Sequence, residues 1–161
     1  MKNFDESLID ADQTSWLEMW KRCDEAYHHC YSHFSKSFKT WYEADRFHDS
    51  VLKGVNTFSN PKGEWGVEIF LDYFVTSEKK SGVLKYSGVS WFQIRKETET
   101  YYHPNWHEEC LYGEFYQSER NNLKVVHEFF TAEDTYFYVE FKKLTFEEVI
   151  EHSAKDNQKK R

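Results

Sequence analysis

Large apolar residues return every three or four positions through the first part of the chain, at Trp16, Trp20, Cys23, Tyr27, Tyr31, Phe34 and Phe38. That spacing marks one face of an amphipathic helix. Ser15 followed by Glu18 fits a capping box that would open it. The pattern predicts helix to about Trp41–Tyr42, with a break at Ser35-Lys36-Ser37. Lys21, Glu25, His29 and His33 fall on the opposite face, and the aromatic stripe reads as a core face rather than a ligand box. Residues 1–13 are polar and acidic and form a loose entry.

Beyond Ala44-Asp45-Arg46 the period shortens toward two. Phe47 to Val55 reads as a first strand, and residues 56–62, beside Gly63, as a turn. Trp65, Val67, Ile69, Leu71 and Tyr73 alternate with other residues as in a half-buried strand. Ser77 to Gly82 reads as a second turn, and Val83 to Ile94 as a third strand with a bulge at Gly88. Residues 95–109, which include Pro104, form the longest expected loop. Leu111 to Tyr116 is a fourth strand. Residues 122–131 and 135–142 make an aromatic hairpin around Ala132-Glu133-Asp134, and Phe146 to His152 reads as a short closing helix.

A hairpin carrying large apolar groups on both faces is not stable alone; it needs a wider sheet and a second layer. Strand after strand with short turns favours antiparallel pairing over βαβ units. The expected fold is therefore α+β: an N-terminal amphipathic helix packed on a mostly antiparallel sheet of about six strands. Residues 1–154 are expected to form a single domain and residues 155–161 a basic disordered tail.

Composition sharpens this picture. Of the 161 residues, 19% are aromatic and 39% hydrophobic, so rings rather than aliphatic chains supply most of the core. The net charge is −7. Because the last seven residues carry four positive charges and one negative, residues 1–154 carry −10. Such a body repels nucleic acid and anionic membranes and attracts basic partners. Three cysteines (Cys23, Cys30 and Cys110) give no disulfide framework. The first residues lack the apolar stretch of a signal peptide, and no run approaches the roughly 20 apolar residues of a membrane span, so a cytoplasmic location is expected.

Several clusters invite chemistry. His29 and His33 are helical neighbours, but Cys23 lies on the other face. His103, His107 and Cys110 have an H-x3-H-x2-C spacing that could supply three metal ligands from a loop, where a structural zinc site wants four. No cofactor is expected. His48-Asp49 and His127-Glu128 each set an imidazole beside a carboxylate. Adjacent strand residues point to opposite faces, so neither doublet makes a dyad by itself, although His48 and His127 could meet across the sheet. Phosphate-binding and nucleophile-elbow signatures are lacking. Glu97, Glu99, Glu108, Glu109, Glu114 and Glu119 crowd the long loop and its flank, among Tyr101, Tyr102 and Trp106. Aromatics amid carboxylates suit a docking patch for a basic protein, and Glu97, Glu99, Tyr101, Tyr102, Trp106, Glu108 and Glu109 are its candidate residues.

Two short motifs carry a family likeness. Phe47-His48-Asp49-Ser50 resembles the F-H-D-(S/A) strand start of small uncharacterised proteins of low-GC Gram-positive bacteria. Leu123, the run His127-Glu128-Phe129-Phe130, and Val139-Glu140-Phe141-Lys142 resemble their ending. Where that pattern has a glycine in the last turn, this chain has Ala132-Glu133-Asp134. The assortment is similar to immunity proteins of polymorphic toxin systems. The resemblance implies an α+β domain and a toxin-neutralising role, and it carries over no catalytic residue. The expected function is thus a non-catalytic cytoplasmic binding protein whose partner is a cognate toxin or other basic protein. The alternatives are a small metal-binding protein or enzyme using His103, His107 and Cys110 or His48 and His127, and an aromatic surface that drives homodimerisation.

Overall fold

The computed structural model describes residues 13–96, 109–131 and 135–149. The fold is α+β, with two helices and an antiparallel sheet of eight strands. Helix α1 (Gln13–His29) is followed by a 3-10 turn (Tyr31–His33) and helix α2 (Lys36–Tyr42). The helix does break, but earlier than expected, over residues 30–35, and Lys36 and Ser37 already belong to α2. The Ser35 hydroxyl caps α2, accepting from the Phe38 N–H at 3.1 Å. The Ser35 N–H donates to the Leu144 carbonyl at 2.9 Å, which ties the helix entry to the sheet.

The strands are β1 (Ser50–Ser59), β2 (Trp65–Val75), β3 (Glu78–Ser87), β4 (Trp91–Lys96), β5 (Glu109–Gln117), β6 (Val125–Thr131), β7 (Thr135–Phe141) and β8 (Lys143–Val149). Their order across the sheet is β4-β7-β6-β5-β1-β2-β3-β8. Two four-stranded halves meet where β1 pairs with β5, among the described residues through Ser50 with Cys110 and Val51 with Glu109. A register shift flanks this junction on each side, between Leu52 and Gly54 of β1 against β2 and between Cys110 and Tyr112 of β5 against β6.

The far ends of the sheet are joined by the chain itself. Segment 78–96 supplies β3 and β4, and segment 135–149 supplies β7 and β8, as one long antiparallel ribbon. At its bend the Lys142 N–H donates to the Ser87 carbonyl and the Ser90 N–H to the Glu140 carbonyl, both at 3.0 Å. Gly88 makes the turn possible with φ 64°, and the Lys142 stem lies where a Cβ would stand. Six continuous runs thus give eight strands, and the order returns on itself.

Several local expectations need correction: α1 already begins at Gln13, so Ser15 does not cap it, and β1 runs on to Ser59, through most of the turn expected at 56–62. Residues 143–149 are strand β8, not the start of a closing helix. Leu144 and Phe146 are buried on alternate positions, and pairing with β3 outweighs the helix propensity of Glu147-Glu148. The turn expected at Ser77–Gly82 is much shorter. Thr76 and Ser77, with φ 50° and 69°, close a tight hairpin, and β3 has already begun at Glu78.

One hydrophobic core joins both halves. It includes Ile69, Tyr73 and Leu84 from one and Phe115, Phe129 and Phe137 from the other, with Phe38 and Trp41 of α2. Rings set its geometry. Trp41 stacks on Phe146 with centroids 4.5 Å apart, and Phe129 on Phe137 at 4.6 Å. A smaller cluster of Met19, Cys23 and Phe130 fixes α1 against the opposite face of the second half. No helix among the described residues is long and apolar enough to cross a membrane.

Candidate functional site

Where β1 and β5 part, α1 and the segment between α2 and β1 close the gap, and they leave a cleft of about 590 Å³. Its helical wall is a ridge of four-residue steps: Trp16, Trp20, Asp24 and His28. The facing wall is Tyr42, Glu43, Asp45, Phe47 and His48, and Gly113 of β5 lies at the inner end. Among the described residues no lysine or arginine lines it.

The helical stripe is therefore divided. Cys23 and Tyr27 are buried, as a core face requires, and Met19 joins them. Trp16 and Trp20 are only half-buried and face the cleft, with centroids 5.6 Å apart and planes at 76°. Tyr27 stacks on Tyr42 at 4.9 Å, and its hydroxyl donates to Glu43 Oε1 at 3.2 Å.

The facing wall is held by unusual backbone. Asp45 and Asp49 have φ 53° and 64°, a left-handed conformation that aspartate tolerates better than most residues. The Ser50 hydroxyl donates to the Arg46 carbonyl, and the Ser50 N–H to that of Phe47 at 3.1 Å. This turn, not a strand, occupies residues 47–49. For that reason His48 and Asp49 do meet, Nδ1 to Oδ1 at 2.9 Å, contrary to the expectation that strand alternation would separate them. On the other wall, His28 Nε2 lies 3.6 Å from Asp24 Oδ1.

The field in the cleft is negative. Burial raises the Tyr42 phenol above its ordinary pKa, and the added influences of Cys23, Asp45, Asp24 and Glu114 all push the same way. Tyr27 is raised by burial and by Glu43. Burial pushes the Cys23 thiol up to about 12, helped by Glu114 against Arg22, so it is not a nucleophile at neutral pH.

His127 lies behind the inner end, wholly buried and stacked on Phe115 at 4.0 Å. Its Nδ1 shares a 2.7 Å hydrogen bond with the Tyr86 hydroxyl. Its Nε2 has no hydrogen-bond partner among the described residues and faces Gly113 and Phe47. Burial holds its pKa well below the ordinary value, so the ring is neutral. His48 and His127 are thus brought to opposite sides of Phe47: one on the cleft wall, the other sealed beneath it.

Glu97, Glu99, Tyr101, Tyr102, His103, Trp106, His107 and Glu108 lie outside the described residues. The backbone of Glu109 and Cys110 begins β5 at the β1 junction. His29 Nδ1 bonds the Glu25 carbonyl and His33 Nδ1 the Lys142 carbonyl, each at 2.7 Å. No group of three metal-ligating side chains occurs among the described residues.

Sequence reasoning did not pick out Asp24, Tyr42, Glu43 or Asp45. The signal was the four-residue step itself. A ridge that begins with two tryptophans and continues with an aspartate and a histidine cannot lie wholly in a core. Comparison with known proteins adds no relative: the chain matches no family model, no curated protein and no solved structure.

Proposed function

We propose that this chain is a non-catalytic binding protein for a basic partner and, most specifically, an immunity protein that occludes a basic toxin domain. One observation carries the reading. Three carboxylates, Asp24, Glu43 and Asp45, converge on an aromatic-walled cleft that, among the described residues, no lysine or arginine lines. Such a surface attracts cations and steers their approach, while its rings supply the desolvated contact area that interface hot spots need. The −7 charge of the whole chain acts in the same direction at longer range. The likeness of the 47–50 and 123–142 motifs to immunity proteins is what points to a toxin. The carboxylates would occupy the lysines or arginines with which a nuclease domain holds phosphate.

The test is to produce the chain together with the product of the gene immediately upstream. A toxic basic domain whose growth inhibition is relieved, and which co-purifies with the chain, supports the reading. Charge reversal at Asp24 and Asp45 should slow association and flatten its salt dependence, whereas reversal at Glu108 and Glu109 probes the loop patch separately. A non-toxic upstream product that does not bind would remove the toxin-neutralising role.

The 2.9 Å contact between His48 and Asp49 on the cleft wall favours a second reading, a small enzyme using that imidazole as a base. A metal-binding variant of it would use His103, His107 and Cys110. Elemental analysis of the purified protein separates the metal case, since stoichiometric zinc lost on substituting His107 would support it.

A further inference from the structure

We propose that the cleft between α1 and the 42–48 segment is a receptor for a single arginine side chain, presented by the basic partner. The proposal rests on the reading that the partner is basic and names the group by which it is held.

Shape and charge together select the guanidinium. Trp16 and Trp20 stand at 76° to each other, and the negative face of an indole is what attracts a planar cation. Across from them Glu43 and Asp45 offer carboxylates, and Asp24 offers a third from the helix. Among the described residues none of the three is in an ion pair with lysine or arginine; Asp24 lies 3.6 Å from His28 Nε2, and Glu43 accepts from the Tyr27 hydroxyl. Arginine presents a flat face to aromatics and a fork of donors to carboxylates, whereas an ammonium is a compact, strongly hydrated point charge. About 590 Å³ is ample for the side chain and its flanking peptide, within the ordinary range of ligand pockets. The phenols of Tyr27 and Tyr42, held protonated, add no negative charge of their own.

The test is calorimetric titration of the full chain with N-acetyl-arginine amide, with the lysine amide, and with the citrulline amide, which keeps arginine's shape without its charge. Saturable binding of the arginine probe is expected. The citrulline probe should be about tenfold or more weaker, because it forfeits both the cation–π and the charge-assisted terms. Asp45→Asn and Asp24→Asn should each weaken the arginine probe severalfold. Both positions are exposed, and asparagine accepts the left-handed backbone of residue 45, so these variants keep the fold. Equal binding of arginine and citrulline, equal binding of arginine and lysine, or no saturable binding of arginine would each overturn the proposal. If the arginine probe fails while a basic partner still binds, the cleft assignment falls and the functional reading stands. If the probe binds and the upstream product does not, the cleft assignment stands and the functional reading falls.

Discussion

Tyr86 of β3 and His127 of β6 are hydrogen-bonded at 2.7 Å across the core, one residue from each half of the sheet. This is a polar tie in a largely apolar interior, and it has a pH consequence. Buried His127 stays neutral in the folded protein but takes a proton in the unfolded chain near its ordinary value of 6.5. Stability is therefore complete above that pH and falls below it, by up to about 1.4 kcal/mol per unit. Between pH 7.5 and 5.5 the native chain should lose about 1 kcal/mol more than His127→Gln, as read from urea unfolding. Equal losses would mean that His127 does not remain neutral.

Gly113 is needed for close approach. A Cβ there would lie 2.9 Å from both His127 Nε2 and Phe47 Cε1 and 3.1 Å from Phe129 Cβ. Gly113→Ala should cost about 1–3 kcal/mol by overpacking. Gly54→Ala is the control, because nothing lies within 4 Å of its Cβ position. The urea midpoint of the first variant should fall well below that of the second with the slope unchanged.

Asp72 on β2 holds the outer face of the first half. Its carboxylate accepts from Ser81 at 2.7 Å and lies 2.8 Å from Lys79 Nζ and 3.9 Å from Lys53 Nζ. Burial alone would raise its pKa, but the hydrogen bonds from Lys79 and Ser81, with the two lysine charges, hold it below the ordinary value of 3.8. This contribution is present in full above pH 3.8 and is lost as acid titrates the folded carboxylate. Asp72→Asn should cost about 1–3 kcal/mol at pH 7 and progressively less toward pH 3. A cost independent of pH would mean packing, not charge, is what the substitution removes.

The strands were legible where one face is buried and residues alternate. Val67, Ile69, Leu71 and Tyr73 are buried as their period implies, although Trp65 at the head of the same run is 63% exposed. The helix stripe was legible at Cys23, Tyr27, Phe34 and Phe38. Strand β8 was not, because Phe146-Glu147-Glu148-Val149 has helical propensity and only pairing with β3 extends it. The Gly88 bulge was read as local, whereas it is the bend by which one ribbon serves both halves of the sheet. The cleft was illegible for a topological reason. Its walls come from residues 16–28, 42–48 and 113, far apart in sequence, and the 47–49 segment that meets β5 near Gly113 is a turn rather than strand.

The central claim is that the acidic aromatic cleft is where a cation is received, and the indole N–H resonances of the full chain locate this directly. During titration with N-acetyl-arginine amide the signals of Trp16 and Trp20 should shift and saturate together. Those of Trp65 and Trp91, which are exposed but do not line the cleft, should stay in place. Shifts at Trp65 or Trp91 with Trp16 and Trp20 unmoved would contradict the account.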